Sequence, residues 1–171
     1  MNVNTLKKKF LFDADTKNDL DAPIDIEGIK RVIPNREPFL FIDRIELINL
    51  ERRLIKTTRW IDPEDPVFRG HFPDNPIYPG VLQQEILYES LALLLYFVLN
   101  NTTKIPESAY PVRTVGTRVY DCLYLSPVVP DSLVSVYCCI PEMDDFLTTG
   151  VGQVCVGETI CSIGKGELYA A

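Results

Sequence analysis

Apolar residues along the chain recur with two different periods. Ile26, Ile29, Val32 and Ile33 share one side of a helical wheel, so residues 26–33 predict a short helix, which Pro34 ends. Phe39–Leu50 (FLFIDRIELINL) and Arg53–Ile61 (RLIKTTRWI) are rich in β-branched and aromatic residues and predict a strand and its hairpin partner. Between 62 and 79 stand Pro63, Pro66, Pro73, Pro76 and Pro79, which forbid a regular helix or a central strand and predict a shaped loop. Gly80–Asn100 follows as the one long helix candidate, about 30 Å if fully formed. Its second half is apolar on every side, so it should be buried all round. Three more strand-like runs come after it, Tyr110–Val119, Ser132–Ile140 and Leu147–Ile163, separated by Pro127 and Pro130 and then by residues 141–145.

Strands in runs, rather than alternating with helices, predict an α+β fold with an antiparallel sheet. A single helix that is greasy on all sides needs a sheet that curls around it. Residues 1–25 are charged, aperiodic and end in Asp21-Ala22-Pro23, which predicts an N-terminal extension, a mobile or edge-packed arm. The domain itself would then occupy residues 26–171.

Composition narrows the function classes. With 171 residues, 46% hydrophobic and 24% charged, the chain has ordinary globular usage and can bury a core of its own. A net charge of −7 argues against a dedicated nucleic-acid binder, though it leaves room for a local basic patch. Five cysteines with no CxxC spacing, beside a single histidine, do not suit a zinc site and fit reduced, buried thiols. Lys7–Lys9 are followed by only Phe10-Leu11-Phe12 before Asp13, so no signal-peptide core is visible. The run Leu91–Leu99 is about half of a membrane span. The expected location is the cytoplasm.

The segment Phe68–Glu89 (FRGHFPDNPIYPGVLQQEILYE) concentrates the chemistry. It holds the only histidine, His71, in a proline-stiffened loop where a general base could be held in place. Glu85 lies in the first turns of the helix among Val81, Leu82, Ile86 and Leu87. A carboxyl facing apolar surroundings keeps its proton to higher pH and can act as an acid. Pro79-Gly80 opens the helix, where free N–H groups favour developing negative charge and glycine lets a ligand come close. A lone histidine is more often structural, and a helix-start glutamate is explained by the helix dipole alone. Together, though, a base and an acid suit proton removal beside a carbonyl coupled to loss of a hydroxyl.

The strings IPNREPFLFIDRI (Ile33–Ile45), GHFPDNPIYPGVLQQE (Gly70–Glu85) and SPVVPDS (Ser126–Ser132) resemble the 3-hydroxyacyl-acyl-carrier-protein dehydratases of type II fatty acid synthesis. The resemblance runs from about residue 28 to 165, and its most specific part places His and Glu fourteen positions apart. It implies the hotdog fold, a long helix wrapped by an antiparallel sheet, and a homodimer whose sites take His from one chain and the carboxylate from the other. It leaves open a trimer of dimers. It implies that His71 removes the C2 proton of a (3R)-3-hydroxyacyl thioester, that Glu85 assists the departing hydroxyl, and that the Gly80 N–H binds the thioester carbonyl. The product would be a trans-2-enoyl thioester, in fatty acid or specialised polyketide or polyene synthesis. Phe68, Phe72, Tyr78, Val81 and Glu89 would line the acyl tunnel. No metal or redox cofactor is implied; the substrate arrives on the phosphopantetheine of an acyl carrier protein, for which Arg113, Arg118 and Lys104 are docking candidates, with Arg52, Arg53, Lys56 and Arg59 as a second cluster.

Several positions depart from the family pattern. Asn35 replaces a usual histidine, Tyr78 a usually smaller or more flexible apolar residue, Asp131-Ser132 a Gly-Asp turn, and Glu89 a common glutamine. Glu89 is four residues after Glu85, on the same helix face, and two carboxylates so placed disfavour joint ionisation. Other readings remain: a hotdog thioesterase, a dehydratase that also isomerises the double bond, or a non-catalytic acyl-binding subunit. Isomerising relatives commonly carry Asp at the position of Glu85, and a pure scaffold needs neither His71 nor Glu85.

Overall fold

The computed structural model describes residues 3–13 and 15–170; of the expected extension, Met1, Asn2 and Ala14 lie outside the described residues, as does Ala171 of the domain. Its elements are α1 (Ile26–Val32), β1 (Arg44–Asn49), β2 (Leu54–Trp60), α2 (Gly80–Asn100), β3 (Thr114–Tyr124), β4 (Leu133–Met143), β5 (Leu147–Val156) and β6 (Thr159–Ala170), with 3-10 turns at Val3–Lys7 and Pro66–Arg69. The strands form one antiparallel sheet in the order β1-β2-β4-β5-β6-β3. The sheet wraps α2, as the hotdog arrangement requires. By length and composition α2 could cross a bilayer, yet 72% of its most apolar window is buried inside the fold. Its apolar character thus serves a protein core.

The sheet is cut away where the helix sits deepest. Gly150 pairs with Gly166, and Gly152 with Gly164, across β5 and β6. A Cβ at any of the four would lie 2.6 Å or less from Leu91, Cys138, Gln84 or Tyr88. Only glycine allows this closeness of helix to sheet, and the trough it makes carries Leu87 and Leu91 into the core.

Three boundaries differ from the sequence expectation. The strand expected from Phe39 starts at Arg44, because the Phe41 N–H is taken by the Glu89 carboxylate instead of a neighbouring strand. The strand expected over Tyr110–Val119 runs from Thr114 to Tyr124, since Pro111 cannot donate to a ladder and Val112 N–H bonds back to Val32. The long run Leu147–Ile163 is two strands joined by a tight turn with Gly157 at φ 55°.

The N-terminal arm packs along the β1 edge, through Asp19 N–H to Ile48 and an Ile24–Ile45 bridge, and also crosses the outer face of the sheet. Val3, Leu6 and Phe12 join Leu54, Cys139, Val151 and Ile163 in a second apolar cluster on the face away from α2. Gln153 is fully buried beneath the arm and fastens it. Its amide oxygen accepts from Leu11 N–H, and its NH2 donates to the Leu6 and Lys9 carbonyls, at 2.7, 2.7 and 2.8 Å. Gln153→Ala removes all three partners at once and should lower stability by about 2–4 kcal/mol. A fall in Tm with early proteolysis before residue 13 is the expected result; an unchanged melt would show the arm held by apolar contacts alone.

Candidate active site

His71 sits in the loop between the Pro66–Arg69 turn and α2. Its own N–H donates to Val67, and Ile77 N–H donates to the His71 carbonyl, both at 3.0 Å, so the loop is closed on itself around the imidazole. Phe72, joined to it by a cis peptide bond, stacks on the ring at 4.1 Å between centroids. His71 Nδ1 lies 2.8 Å from the Ile77 carbonyl. A carbonyl only accepts, so Nδ1 carries the proton and Nε2 is left with a free lone pair. That is the tautomer a general base needs.

The His71 ring opens on a cavity of about 490 Å³ lined by Ile77–Val81, Gln83 and Tyr124–Pro127. Gly80 lies in its wall at the N-terminus of α2. The preceding Pro79 offers no side-chain cap, but its carbonyl accepts from Leu82 and Gln83 N–H at 3.0 and 3.1 Å, which leaves the amides of Gly80 and Val81, both in the cavity wall, as the two without a helical acceptor. A Cβ at Gly80 would fall 2.5 Å from the Tyr124 ring, so glycine is what lets β3 close over the helix start. Tyr78 is buried against Phe68, with centroids 6.2 Å apart, and its hydroxyl has no hydrogen-bond partner among the described residues. Burial pushes that hydroxyl well above the ordinary tyrosine range.

Glu85 and Glu89 line a separate cavity, of about 370 Å³, between α2 and β3. Asn35, Tyr88, Ala92, Arg118 and Leu168 are among its walls. Desolvation raises the Glu85 carboxyl above its ordinary value. Glu89 is 3% exposed, and its acidity falls further: burial pushes it up to about 7, helped by Glu85, against the Phe41 N–H, Asn35 and Arg59, which pull it down.

The residues singled out in the sequence therefore divide into two groups. His71, Tyr78, Gly80 and Val81 share one cavity; Glu85, Glu89 and Arg118 share the other. Within one chain, His71 and Glu85 line different cavities. Phe72 is bound to the His71 ring rather than to a cavity wall, and Phe68 lines a proline-rich surface groove while supporting Tyr78. Arg113 and Lys104 are exposed and line neither cavity. Sequence reasoning missed Gln83 and Tyr124 beside His71. Only the helical spacing of Gln83 from Gly80 could have pointed to it. Among the described residues no cluster of three or more His, Cys, Asp or Glu could hold a metal ion, and all five cysteines are free.

The model of the FabA-like domain family matches residues 33–161. A 3-hydroxyacyl-[acyl-carrier-protein] dehydratase FabZ of Clostridium botulinum is 33% identical over 140 residues, covering 81% of this chain and 93% of that one. The FabZ of Cupriavidus taiwanensis is 32% identical over 152 residues, covering 85% and 98%. Among solved structures, a chain of the dehydratase heterocomplex ApeI:P from Xenorhabdus doucetiae superposes with a TM-score of 0.66 at 11% identity, over 84% of this chain and 90% of the other. A thioesterase from Pseudomonas aeruginosa gives 0.60 at 10% identity, over 86% and 94%. At these identities the structural likeness speaks for the fold alone.

Proposed function

This chain belongs to the FabA-like family and is a 3-hydroxyacyl-[acyl-carrier-protein] dehydratase, and we propose that His71 and Glu85 carry its reaction at a site completed by a second copy. His71 Nε2 takes the C2 proton of the (3R)-3-hydroxyacyl thioester. The electrons of that C–H bond become the C2=C3 bond as the C3–O bond breaks. Glu85 gives its proton to the departing oxygen, which leaves as water. The Gly80 N–H at the start of α2 holds the thioester oxygen while it carries enolate charge. The elimination is redox-neutral.

One observation carries the two-chain site: the free edge of β3 borders both cavities. Tyr124, at its C-terminal end, lines the His71 cavity, and Gly116–Val119, near its N-terminal end, line that of Glu85. The edge exposes Val115, Val119, Tyr120 and Tyr124 at 41–59% of their surface, which is an invitation to pairing. Antiparallel pairing of β3 with a second β3 about a two-fold axis reverses the strand ends. It lays the His71 end of one chain over the Glu85 end of the other and builds two equal sites. The acyl chain then runs past Glu85 toward Ala92 and Leu168. Free thiols, four of the five buried, and a carrier-borne substrate fit a reducing cytoplasm.

The carrier protein docks through local positive charge on the surface of the chain. Arg118 lines the Glu85 cavity, so its loss would also affect substrates without a carrier. Arg113 and Lys104 are the cleaner test. With 3-hydroxyacyl-carrier substrate, enoyl-thioester absorbance should rise on adding enzyme. Arg113→Glu with Lys104→Glu should raise KM for that substrate about tenfold and leave a short 3-hydroxyacyl thioester analogue unaffected. Equal effects on both substrates would remove the docking surface, and no absorbance change with wild-type enzyme would remove the reaction.

A further inference from the structure

Tyr78 is one of the largest side chains that the fold encloses completely, with 1% of its surface exposed. Its backbone is held on both sides. The Tyr78 N–H donates to the Val128 carbonyl at 2.7 Å, its own carbonyl accepts from Gln83 Nε2 at 3.4 Å, and Pro79 follows it. With Gly80 and Gln83 it walls the His71 cavity. The ring packs on Phe68 within the main core. Arg59, Asp65, Glu89 and Asp43 all exert their charge on its hydroxyl, so the far end of the ring lies toward β2 and the Pro66–Arg69 turn.

A further space lies on that side. Under the first turn of α2 is a cavity of about 370 Å³, walled by Leu40, Phe41 and Leu82 and by Arg59 and Asp65. It shares no lining residue with the His71 cavity. Tyr78 connects the two descriptions: it stands in the wall of one cavity, and its hydroxyl feels two of the charges that wall the other. That hydroxyl has no hydrogen-bond partner among the described residues, and neither has Arg59 Nε. A buried hydroxyl left without a partner costs stability. What the residue contributes at this place is the length and volume of its ring.

We infer that Tyr78 is a specificity-determining partition, which closes the His71 cavity against the apolar space under the start of α2 and so restricts the enzyme to short and medium acyl chains. The inference deepens the proposed dehydration and rests on it.

The route of the acyl chain gives the reason. In the two-chain site the reacting carbons lie between His71 and the carboxyl of a second copy, and the tail beyond C3 runs into the Glu85 cavity, also about 370 Å³. A tail that outgrows this space has to turn elsewhere. The other way out of the His71 cavity leads inward, beneath the helix start, where Leu40, Phe41 and Leu82 offer the apolar surface that a long tail needs. The Tyr78 ring occupies that way. Removing the ring joins the two spaces, and the methylenes of a long tail gain a dry wall to bury against.

Three variants grade the partition. Tyr78→Phe keeps the ring and discards only the unpartnered hydroxyl, so its chain-length profile should match wild type. Tyr78→Leu and Tyr78→Ala open the wall by steps. Both should raise kcat/KM for the longest substrates over the shortest by about tenfold or more, the range set by methylenes gaining a hydrophobic pocket. Leucine keeps an apolar contact with Phe68, so the test stands on Tyr78→Leu if Tyr78→Ala does not fold.

The experiment measures enoyl-thioester formation over a ladder from 3-hydroxybutanoyl to 3-hydroxyhexadecanoyl carrier protein, with a thermal melt of each variant. A second series needs no turnover: saturated acyl-pantetheine thioesters of the same lengths are added, and the shift in Tm is read. The long members should raise the Tm of Tyr78→Leu more than that of wild type, and the short members should raise both equally. An unchanged length profile in folded Tyr78→Leu, with equal Tm shifts from long and short thioesters, would overturn the inference. So would a change of profile in Tyr78→Phe as large as that in Tyr78→Leu, because the hydroxyl rather than the ring would then set the limit. If wild-type enzyme fails to turn over every member of the ladder, the proposed reaction fails, and the Tm series still decides whether Tyr78 closes the space.

Discussion

His71→Ala should lower kcat for carrier-bound 3-hydroxyacyl substrate by roughly 10²–10⁴-fold, the range supplied by a positioned general base. The fold should survive the change. The loop is closed by backbone bonds, from His71 N–H to Val67 and from Ile77 N–H to His71, neither of which needs the imidazole. What disappears is the Nε2 lone pair, exposed to the cavity because Nδ1 is committed to the Ile77 carbonyl. KM should change little, since the ring touches the proton being removed rather than the chain that binds. Glu85→Gln should cost less, about 10²-fold, because water can protonate a departing hydroxyl more readily than it can replace a fixed base. The measurements are enoyl-thioester formation under saturating substrate and a thermal melt of each variant. A loss of less than tenfold in His71→Ala with an unchanged melt would show that the imidazole is not the base.

The chemistry was more legible than the boundaries. Gly80–Asn100 stood out because an apolar stretch with no polar face has one soluble solution, complete enclosure, and the sheet supplies it. His71 and Glu85 were singled out from residue type and spacing, and the structure puts each in the wall of a cavity, though not of the same one. The β1 boundary could not be read. Phe39-Leu40-Phe41 has the composition of a strand, but Phe41 gives its N–H to Glu89, a side chain forty-eight residues away. The hydrogen bond from Asn35 to Glu89 was hidden for the same reason. Gly157 ends β5 in two residues, and a run of Val, Cys and Ile on both sides concealed it. Nor did the arm announce its place: the charged residues 7–9 mask the apolar trio Val3, Leu6 and Phe12, and the anchor that fixes it, Gln153, lies in a strand. Apart from the local turn at Gly157, the missing information is in each case a long-range contact, which periodicity does not encode. The placing of His71 and Glu85 in two separate cavities is another such property, because it depends on how the loop and the strands pack around α2.

That division makes the strongest claim open to direct trial. His71→Ala and Glu85→Ala proteins are each expected to be inactive, by loss of base and of acid. If every site takes its imidazole from one chain and its carboxyl from the other, a mixed dimer holds one doubly damaged site and one intact site. Equal mixing with full subunit exchange makes half of the dimers mixed, so about a quarter of all sites should be whole. Exchange can be driven by dilution or mild denaturant and followed by fluorescence transfer between labelled copies. Activity recovering to about a quarter of wild type as exchange proceeds is the result expected here. Complete exchange with activity no higher than that of the separate variants would contradict the shared site, placing His71 and Glu85 of one chain in the same reaction.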